Sequence, residues 1–456
     1  MRWISLTLAF VIMLSSTTVA RSAAELASDE WALLDELSRR SFLFFWEQAD
    51  PETGLIADRA RADGSNRPQV ASIAAVGFGL TGLCIAAERG WVERDIAYER
   101  VLKTLRYLWH EMPHERGFFY HFVDRSTGER VWECELSSID TALLLAGALT
   151  ARQYFPETEV AELAQQLYER VEWDWMMAGS DLMNMGWKPE SGFLHAEWNG
   201  YSEHLILYLM AIGSPTHPIE PRIWHAWERR PQITYAGKEF LACPPLFTHQ
   251  YSQAWVDFRG KRDDYADYWM NSVLATRAQR RMSMIMQDRF PKWGPTLWGV
   301  TASDAADHYR AWGGPPATAD LDGTIVPCAA GGSVPFAPDI TIPALMHMYE
   351  AYGEEIWTHY GFVDAFNPHT GWVNEDVIGI DVGITLVQIE NHRTGFVWEQ
   401  FMANEEIRRA MELAGFRAIE MDADGAYPVR YNADGHETSI YRRWTPEDRR
   451  RGGGHE

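Results

Sequence analysis

The pattern that most constrains the fold is an alternation between two kinds of helix. Segments rich in small and apolar residues, such as 69–88 and 137–154, alternate with amphipathic segments, such as 95–109 and 159–173. Apolar residues in these segments recur at helical spacing. A helix that is apolar all round has to be buried, whereas an amphipathic helix covers a core with one face. The alternation therefore predicts an inner layer of helices inside an outer layer.

Roughly eleven to thirteen helices are predicted from this periodicity, among them 219–229 and a long amphipathic helix at 263–287. They are joined by aromatic loops and by short hairpins at 117–132 and 186–196. Residues 290–335 are rich in glycine, proline and tryptophan and show no periodicity. A loop of that length inside a compact domain is usually functional. Since no linker divides the chain, we predict an all-α fold and favour a single α/α barrel over a solenoid.

The N-terminus predicts export. A short positive start is followed by an apolar run at 4–14 and by a Thr-Val-Ala sequence that ends at Ala20 and suits signal peptidase. The apolar run is too short for a stable membrane span. We expect residues 1–20 to be removed and the mature protein to be soluble and periplasmic or secreted. A single domain would then cover 29–445, with a disordered tail at 446–456.

Charge and aromatic content narrow the class of partner. The formal net charge is −23, which argues against binding to nucleic acid and to anionic membranes. The chain has 21 Trp, 18 Tyr and 20 Phe, and flat aromatic faces suit stacking on sugar rings. Large helical cores also use tryptophan, so each candidate platform has two interpretations, stacking or core. The candidates are Trp132, Trp198, Trp298, Trp312 and Trp372.

Other chemistries lack their motifs. There is no HExxH, no Walker A loop and no GxSxG elbow, and we predict neither a metal nor a cofactor. A loose GxGxxG match at 77–82 lies inside a helical run, so it indicates helix packing. The four cysteines are far apart and form no CxxC pair, which leaves disulfides and buried free thiols both open. They are Cys84, Cys134, Cys243 and Cys328.

Glu203 marks the first of three junctions where an acid-bearing aromatic loop becomes an apolar helix. We predict it in the first turn of a short helix that stops at Gly213. Burial there would raise the pKa of the carboxyl group, as a general acid requires. The alternative is a carboxylate that only complements the positive end of the helix dipole.

The second junction holds Glu135, Ser137 and Asp140, and the third holds Asp381. A carboxylate buried in a helix, as predicted for Asp140, needs a partner. Ser137 and Asp140 also fit a variant of the capping box, and Asp381 fits a plain N-cap, so function and capping both stay open. Paired carboxylates in an aromatic cleft are the usual apparatus of glycoside hydrolysis.

The same residues resemble a known family, the glucoamylase-like domain of bacterial secreted glycosidases, which includes endo-β-1,2-glucanases of glycoside hydrolase family 144. The resemblance covers nearly all of the mature chain. It implies an (α/α)6 toroid, with 29–445 as one catalytic domain, that cleaves β-1,2-glucan by inversion without a cofactor. The segments that carry it are 41–46, 54–59, 72–78, 135–142, 201–203, 213–218, 361–368, 379–383 and 389–395.

The resemblance also implies roles for individual residues. Glu203 is similar to the general acid of the family and Asp381 to the general base, while Glu135 and Asp140 correspond to acids of the sugar-binding cleft. His217 and Arg393 lie in two of the specific segments and are predicted to contact substrate. The sequence 382–384 is Val-Gly-Ile where family members often have Gln-Gly-Pro, which leaves endo or exo action open.

Three other functions are compatible with the sequence. An exo-acting hydrolase that releases a disaccharide, or a transglycosylase, would use the same scaffold. A periplasmic glycan-binding protein without catalysis would also fit. A polysaccharide lyase would need a tyrosine or histidine base and a uronate substrate, which suits an acidic chain less well. The predicted partner is a glucan oligosaccharide or polysaccharide, and the sequence assigns no oligomeric state.

Overall fold

The computed structural model describes residues 23–235, 237–419, 429–431 and 437–439. The predicted signal peptide and C-terminal tail lie outside this part of the chain. The described helices are α1 (Ala23–Glu47), α2 (Ile73–Glu88), α3 (Arg94–His110), α4 (Ser138–Tyr154), α5 (Glu159–Glu169), α6 (Leu205–Gly213), α7 (Ser252–Trp255), α8 (Tyr268–Ile285), α9 (Pro327–Gly331), α10 (Pro338–Ile356), α11 (Gly379–Arg393), α12 (Phe396–Met402) and α13 (Glu405–Leu413).

Short strands connect the helices, and they pair antiparallel in two-stranded ladders apart from one sheet of three, β6–β7–β8. The strands are β1 (Arg59–Arg61), β2 (Val70–Ser72), β3 (His114–Glu115), β4 (Phe118–Phe119), β5 (Phe122–Asp124), β6 (Leu136–Ser137), β7 (Gly186–Lys188), β8 (Gly192–Phe193), β9 (Gln232–Tyr235), β10 (Lys238–Leu241), β11 (Lys261–Arg262), β12 (Ala302–Ser303), β13 (Arg310–Ala311), β14 (Trp357–Thr358), β15 (Gly361–Phe362), β16 (Phe366–Asn367), β17 (Trp372–Val373), β18 (Asp376–Ile378), β19 (Arg417–Ala418), β20 (Val429–Tyr431) and β21 (Glu437–Ser439). The prediction of a mostly helical chain with short hairpins is confirmed.

The apolar helices form an inner layer. Every residue of α6 and α9 is buried, and so are nearly all residues of α2, α4 and α11. Amphipathic helices cover them from outside: α3 packs on α2, α5 on α4, α13 on α6 and α10 on α9. The two layers predicted from the alternation of helix types are thus present, because each all-apolar helix removes its surface from water only when helices cover it on all sides.

Two glycines let α2 and α4 touch through their backbones. A Cβ atom added to Gly147 would lie 2.1 Å from the carbonyl oxygen of Gly77, and one added to Gly77 would lie 2.2 Å from the carbonyl oxygen of Leu143. A residue with a Cβ atom does not fit where the two backbones approach so closely, so both positions require glycine. The loose GxGxxG match is therefore a helix-packing feature, as its position in a helical run predicted.

Some element boundaries differ from prediction. Segment 69–88 begins as strand β2 before it becomes α2, and α8 begins at Tyr268, where the Asp267 side chain caps it. Segment 219–229, predicted as a helix, forms only a 3-10 turn at Pro221–His225. The helix does not extend because Glu228 pairs instead with the chain at Gly200 and accepts the amide of Tyr201.

A series of ladders ties together the N-terminal ends of three inner helices. β18, which leads into α11, pairs with β1, and β2, which leads into α2, pairs with β5. Single bridges join Ala57 to Ala71 and Tyr120 to Leu136, the latter in the strand that leads into α4. The loops that precede these helices therefore meet at one end of the molecule. Within the described residues, no helix combines the length and the apolar character needed to cross a bilayer.

Candidate active site

Glu203 lies in a turn two residues before the first residue of α6, with His204 as the N-cap residue, so its predicted place in the first helical turn was wrong. The Ser252 hydroxyl of α7 explains this. It donates to the Glu203 carbonyl oxygen and accepts the amide of Ile206 at 2.9 Å. A side chain from another helix thus caps α6 and holds Glu203 at its mouth.

The carboxyl group of Glu203 has a raised pKa. Burial is the main cause, because desolvation disfavours the charged form. The Ser202 hydroxyl donates to this carboxyl group and opposes the shift, while the negative charge of Asp140 adds to it. A carboxyl group that keeps its proton to higher pH is suited to general acid catalysis.

The second junction combines a helix cap with an acid–histidine cluster. Ser137 caps α4 by accepting the amide of Asp140 at 3.1 Å, and its hydroxyl donates to the Asp140 carboxylate at 2.5 Å. His121 lies between two acids, with Nδ1 3.0 Å from Glu135 and Nε2 3.5 Å from Asp140. The capping interpretation is therefore confirmed. Asp140 also faces the cluster, and its functional role stays a prediction.

His121 and Glu135 stabilise each other's charged forms. Burial would lower the pKa of His121, but Asp140 and the hydrogen bond with Glu135 outweigh it, so the pKa is raised. The same hydrogen bond lowers the pKa of Glu135. Two carboxylates and an imidazolium next to Glu203 offer both acceptors and a donor to sugar hydroxyls.

Asp381 lies in the first turn of α11, but Ile378 is the N-cap residue, so Asp381 is not a plain N-cap. Its carboxyl group is buried beside that of Asp364 and the thiol of Cys328. Burial raises the pKa of Asp381 to about 6, opposed by hydrogen bonds from Asp364 and Cys328. Burial and the neighbouring Asp381 raise the pKa of Asp364 further. Two adjacent buried carboxyl groups cannot both ionise easily, so the pair retains a proton.

The two oxygens of Asp364 have different surroundings. Asp364 Oδ2 accepts the backbone amide of Asp304 at 2.8 Å and the Asn374 side chain at 3.4 Å. Its Oδ1 is buried and has no hydrogen-bond partner among the described residues. A proton on Oδ1 directed at Asp381 satisfies both carboxyl groups.

Arg59 fixes the acids around this pair. Its guanidinium donates to Asp58 at 2.9 Å and to both carboxylate oxygens of Asp304, at 2.7 and 2.9 Å. The charges of Asp304 and Asp58 also raise the pKa of Asp381. The third junction is thus a cluster of four carboxyl groups, two of which bind the positively charged guanidinium of Arg59.

The structure brings the three junctions to one end of the inner helices. Glu203 is close enough to Asp140 for its charge to matter, and His121 is close enough to Asp58. The hydroxyl of Tyr251, which is buried, is influenced by both Glu203 and Asp381. Glu203 and Asp381 therefore lie on the same side of the molecule, both within electrostatic range of the Tyr251 hydroxyl.

The aromatic candidates divide into platform and core. Trp132 is 67% exposed and packs on Phe122 next to His121, so its ring is open for stacking. Trp372 is partly exposed on β17. Trp198, Trp298 and Trp312 are wrong as stacking platforms, because protein atoms cover their rings and leave at most 6% exposed. The indoles of Trp198 and Trp312 donate to serine hydroxyls, as buried tryptophans usually do.

Two predicted substrate contacts lie elsewhere. His217 follows the C-terminal end of α6, about 13 Å along the helix from Glu203, and its ring lies 3.5 Å from Asp174. Arg393 ends α11, about 18 Å along that helix from Asp381, where it pairs with Asp35 and covers Trp31. These residues are too far from Glu203 and Asp381 to be part of the site. A sequence segment typical of the family can also stabilise the opposite end of a helix.

Sequence reasoning missed His121, Asp304 and Tyr251, which come from loops with no motif of their own. Asp58 and Asp364 lay in segments that were singled out, but nothing in the sequence showed that they meet Asp381. A cavity of about 970 Å³ between α1, α2 and α3 contains none of the predicted site residues. The four cysteines are free thiols, and no group of three or more described His, Cys, Asp or Glu side chains has an arrangement suited to a metal ion.

Comparison with known proteins identifies relatives over most of the chain. Residues 195–405 match a family model described as a putative glucoamylase. A curated relative from Parabacteroides distasonis, an exo β-1,2-glucooligosaccharide sophorohydrolase acting at the non-reducing end, is 28% identical over 436 residues. The match covers 87% of this chain, and the chain spans 59% of the length of that relative. The predicted resemblance to the glucoamylase-like family is confirmed.

Solved structures of glucoamylase-like proteins match over most of the chain. An endo-β-1,2-glucanase from Chitinophaga pinensis, in complex with sophorotriose and glucose, has a TM-score of 0.81 and 28% identity, covering 85% of this chain and 99% of that one. A putative glucoamylase from Bacteroides uniformis has a TM-score of 0.80 and 29% identity, covering 85% and 98%. The sophorohydrolase and the endo-β-1,2-glucanase are both glycoside hydrolases, which is the enzyme class predicted from the sequence.

A fungal structure shares the fold alone. An endo-β-1,2-glucanase from Talaromyces funiculosus has a TM-score of 0.64 at 13% identity, with 84% of this chain and 90% of that one covered. Within the present chain, the segment that matches the glucoamylase-like family model contains Glu203 and Asp381, while Glu135 and Asp140 precede it.

Proposed function

We propose that this protein hydrolyses a β-1,2-linked glucan with inversion, using Glu203 as the general acid and Asp381 as the general base. The observation that carries the proposal is a pair of carboxyl groups, the partly buried Glu203 and the buried Asp381, which both have raised pKa values and both act electrostatically on the Tyr251 hydroxyl. The substrate comes from the relatives, which are named as enzymes of β-1,2-glucan or its oligosaccharides.

In this mechanism Glu203 gives its proton to the glycosidic oxygen while the bond from that oxygen to the anomeric carbon breaks. Burial and the charge of Asp140 support the role, since both keep Glu203 protonated until the leaving oxygen needs the proton. A water molecule attacks the anomeric carbon from the opposite face of the sugar, as in inverting enzymes generally.

Asp381 takes the proton of that water, directly or through a substrate hydroxyl. It must be ionised to do so, and Asp364 supports this by holding the proton that the pair retains. The resulting hydrogen bond stabilises the Asp381 carboxylate in a site where burial disfavours charge. His121, Glu135, Asp140 and the exposed Trp132 bind the sugars on the Glu203 side.

We also propose that the inner helices close into an (α/α)6 toroid within one domain at 29–445, which acts after export and loss of residues 1–20. Helices α2, α4, α6, α7 and α11 are neighbours in that order, and α11 returns to α2. The Gln250 amide links the α7 region to α9 by donating to Ala329 and Ser333. Together with α9, which packs on α11, these helices are the six inner helices of the proposed toroid.

Exo action is the second candidate, because the curated relative is named as an exo-acting enzyme and the Chitinophaga pinensis structure as an endo-acting one. The two differ in products: endo cleavage gives mixed oligosaccharides, and exo cleavage gives one disaccharide. Incubation with glucans of defined linkage, followed by chromatography of the products, tests linkage and mode together. Absence of turnover on every β-glucan, together with retained binding, would favour a glycan-binding protein instead.

Two further measurements test the assigned roles. Glu203→Gln should lower kcat by about 10²–10⁴-fold while β-1,2-gluco-oligosaccharides still bind. Proton NMR of the first turnovers should show the α-anomer, because inversion of a β-linkage produces it. An initial β-anomer would contradict inversion, and nearly normal turnover by Glu203→Gln would contradict the acid assignment.

A further inference from the structure

The hairpin at 302–311 reaches the Asp364–Asp381 pair from a loop without predicted structure. Its strands β12 and β13 pair Ala302 with Ala311 and Ser303 with Arg310. The base of the hairpin is fixed because the buried indole of Trp312 donates to the Ser303 hydroxyl at 3.0 Å. The long Gly/Pro/Trp-rich loop is therefore ordered at this point by a buried tryptophan.

Asp304 attaches the hairpin to the acids. Its carboxylate accepts the two-pronged hydrogen bond of Arg59, and its amide donates to Asp364 at 2.8 Å. At the tip, Arg310 pairs with Asp307 at 2.7 Å. A hairpin held at both its base and its tip keeps the side chain between them in a defined position.

That side chain is Tyr309, which is exposed although it lies near the acid pair. The residue as a whole is 48% exposed, yet burial and the nearby Asp381 and Asp364 raise the pKa of its hydroxyl. No described residue forms a hydrogen bond with this hydroxyl, and no described aromatic ring packs on the tyrosine ring. The hydroxyl is thus within electrostatic range of the acids and has no hydrogen-bond partner among the described residues, and no described aromatic ring covers the ring faces.

Protein hydroxyl groups in such a position are usually hydrogen-bonded, and an exposed aromatic ring beside a sugar site favours stacking. We propose that Tyr309 is a substrate-binding residue that holds a glucose unit over the Asp364–Asp381 pair, with its ring against the sugar and its hydroxyl bound to a sugar hydroxyl. The inference rests on the proposed function and adds a residue, and the hairpin that carries it, to the substrate site.

The test compares Tyr309→Phe and Tyr309→Ala with a control, Tyr349→Ala, which removes a similarly exposed tyrosine (43%) from the outer helix α10. Steady-state kinetics on β-1,2-glucan give KM and kcat. Calorimetry with a β-1,2-gluco-oligosaccharide in the Glu203→Gln background gives binding without turnover. Thermal unfolding checks that every variant is folded.

We expect Tyr309→Phe to raise KM and Kd about fivefold through loss of one hydrogen bond, and Tyr309→Ala to raise them at least about tenfold through loss of the ring as well. kcat should change less than KM, and the control should match wild type. A fall in kcat with unchanged KM would overturn the inference, because Tyr309 would then act on the acid pair.

KM and Kd values of Tyr309→Ala equal to those of the control would also overturn the inference. The proposed function would be unaffected by that result if the parent protein is active. If the parent neither turns over nor binds any β-glucan, the proposed function itself fails, and the inference fails with it.

Discussion

The carboxyl pair of Asp364 and Asp381 shows how single residues set the chemistry of this site. Nothing in the sequence around either residue marks it as special. The two carboxyl groups are buried next to each other, and burial raises the pKa of both. The backbone amide of Asp304 occupies one oxygen of Asp364 and leaves the other for a proton shared with Asp381. In the proposed mechanism, Asp364 holds the proton of the pair and Asp381 acts as the base.

Substitution of Asp364 should separate charge from hydrogen bonding. Asn fits the same place, since its carbonyl can accept the Asp304 amide while its amide donates to Asp381, so Asp364→Asn should stay active. Ala removes the hydrogen bond that lowers the pKa of Asp381. Asp381 must be ionised to act as the base. On acidification, Asp364→Ala should therefore lose activity at a higher pH than the wild-type protein does.

The measurement is the pH profile of kcat/KM on the acidic side. In wild type we expect this limb near pH 6, above the ordinary range for aspartate, and in Asp364→Ala about one pH unit higher. A limb that is identical in all three proteins would show that Asp364 does not interact with the base, and a limb near pH 4 would exclude Asp381 as the base.

At the scale of elements, the contact between α2 and α4 explains why apolar inner helices are rich in small residues. Gly77 and Gly147 bring the two backbones together, and each helix begins next to a junction that carries site residues. The distance between His121, on the loop after β4, and Asp140, in α4, depends on this packing.

Gly147→Ala should destabilise the protein by about 1–3 kcal/mol, because its Cβ would overlap the Gly77 carbonyl and overpacking of a core costs about that much. Gly353→Ala is the matched control, since that glycine is also helical but its added Cβ has no neighbour closer than 3.6 Å. There the change should leave stability equal or raise it by about 0.5–1 kcal/mol. Denaturant unfolding compares the two, and equal free energies would contradict the close contact.

At the scale of the whole molecule, stability comes from the two helix layers and from the ladders between loops. Cys84, Cys134 and Cys328 are buried and Cys243 is partly buried, and all four are free thiols. The predicted export would permit disulfides, but the fold does not bring any two of the cysteines into a bridge.

A reducing agent should therefore leave the thermal unfolding midpoint unchanged. Titration of thiols in denaturant should find four per chain, from protein purified without reductant. A lower number, or a fall in Tm on reduction, would reveal a disulfide and would contradict the arrangement described here.

The sequence alone determined the fold class and three loop-to-helix junctions, because helical periodicity and the burial of apolar faces are local properties that repeat along the chain. It also pointed to Glu203, Asp140 and Asp381 as acids at the mouths of apolar helices. The positions of most helices were predictable for the same reason, although α2 and α8 begin later than predicted. Segment 219–229 was not predictable, because its pairing with Gly200, in a distant turn, prevents a helix.

Only the tertiary structure decided which side chains meet. The sequence has the same tryptophans whether they stack on sugar or fill a core, and burial assigned Trp298 and Trp312 to the core. His217 and Arg393 belong to specific segments but lie at the far ends of their helices. The partners that tune the acids, His121 and Asp364, come from other loops, because a pKa depends on neighbours in space and not on neighbours in sequence.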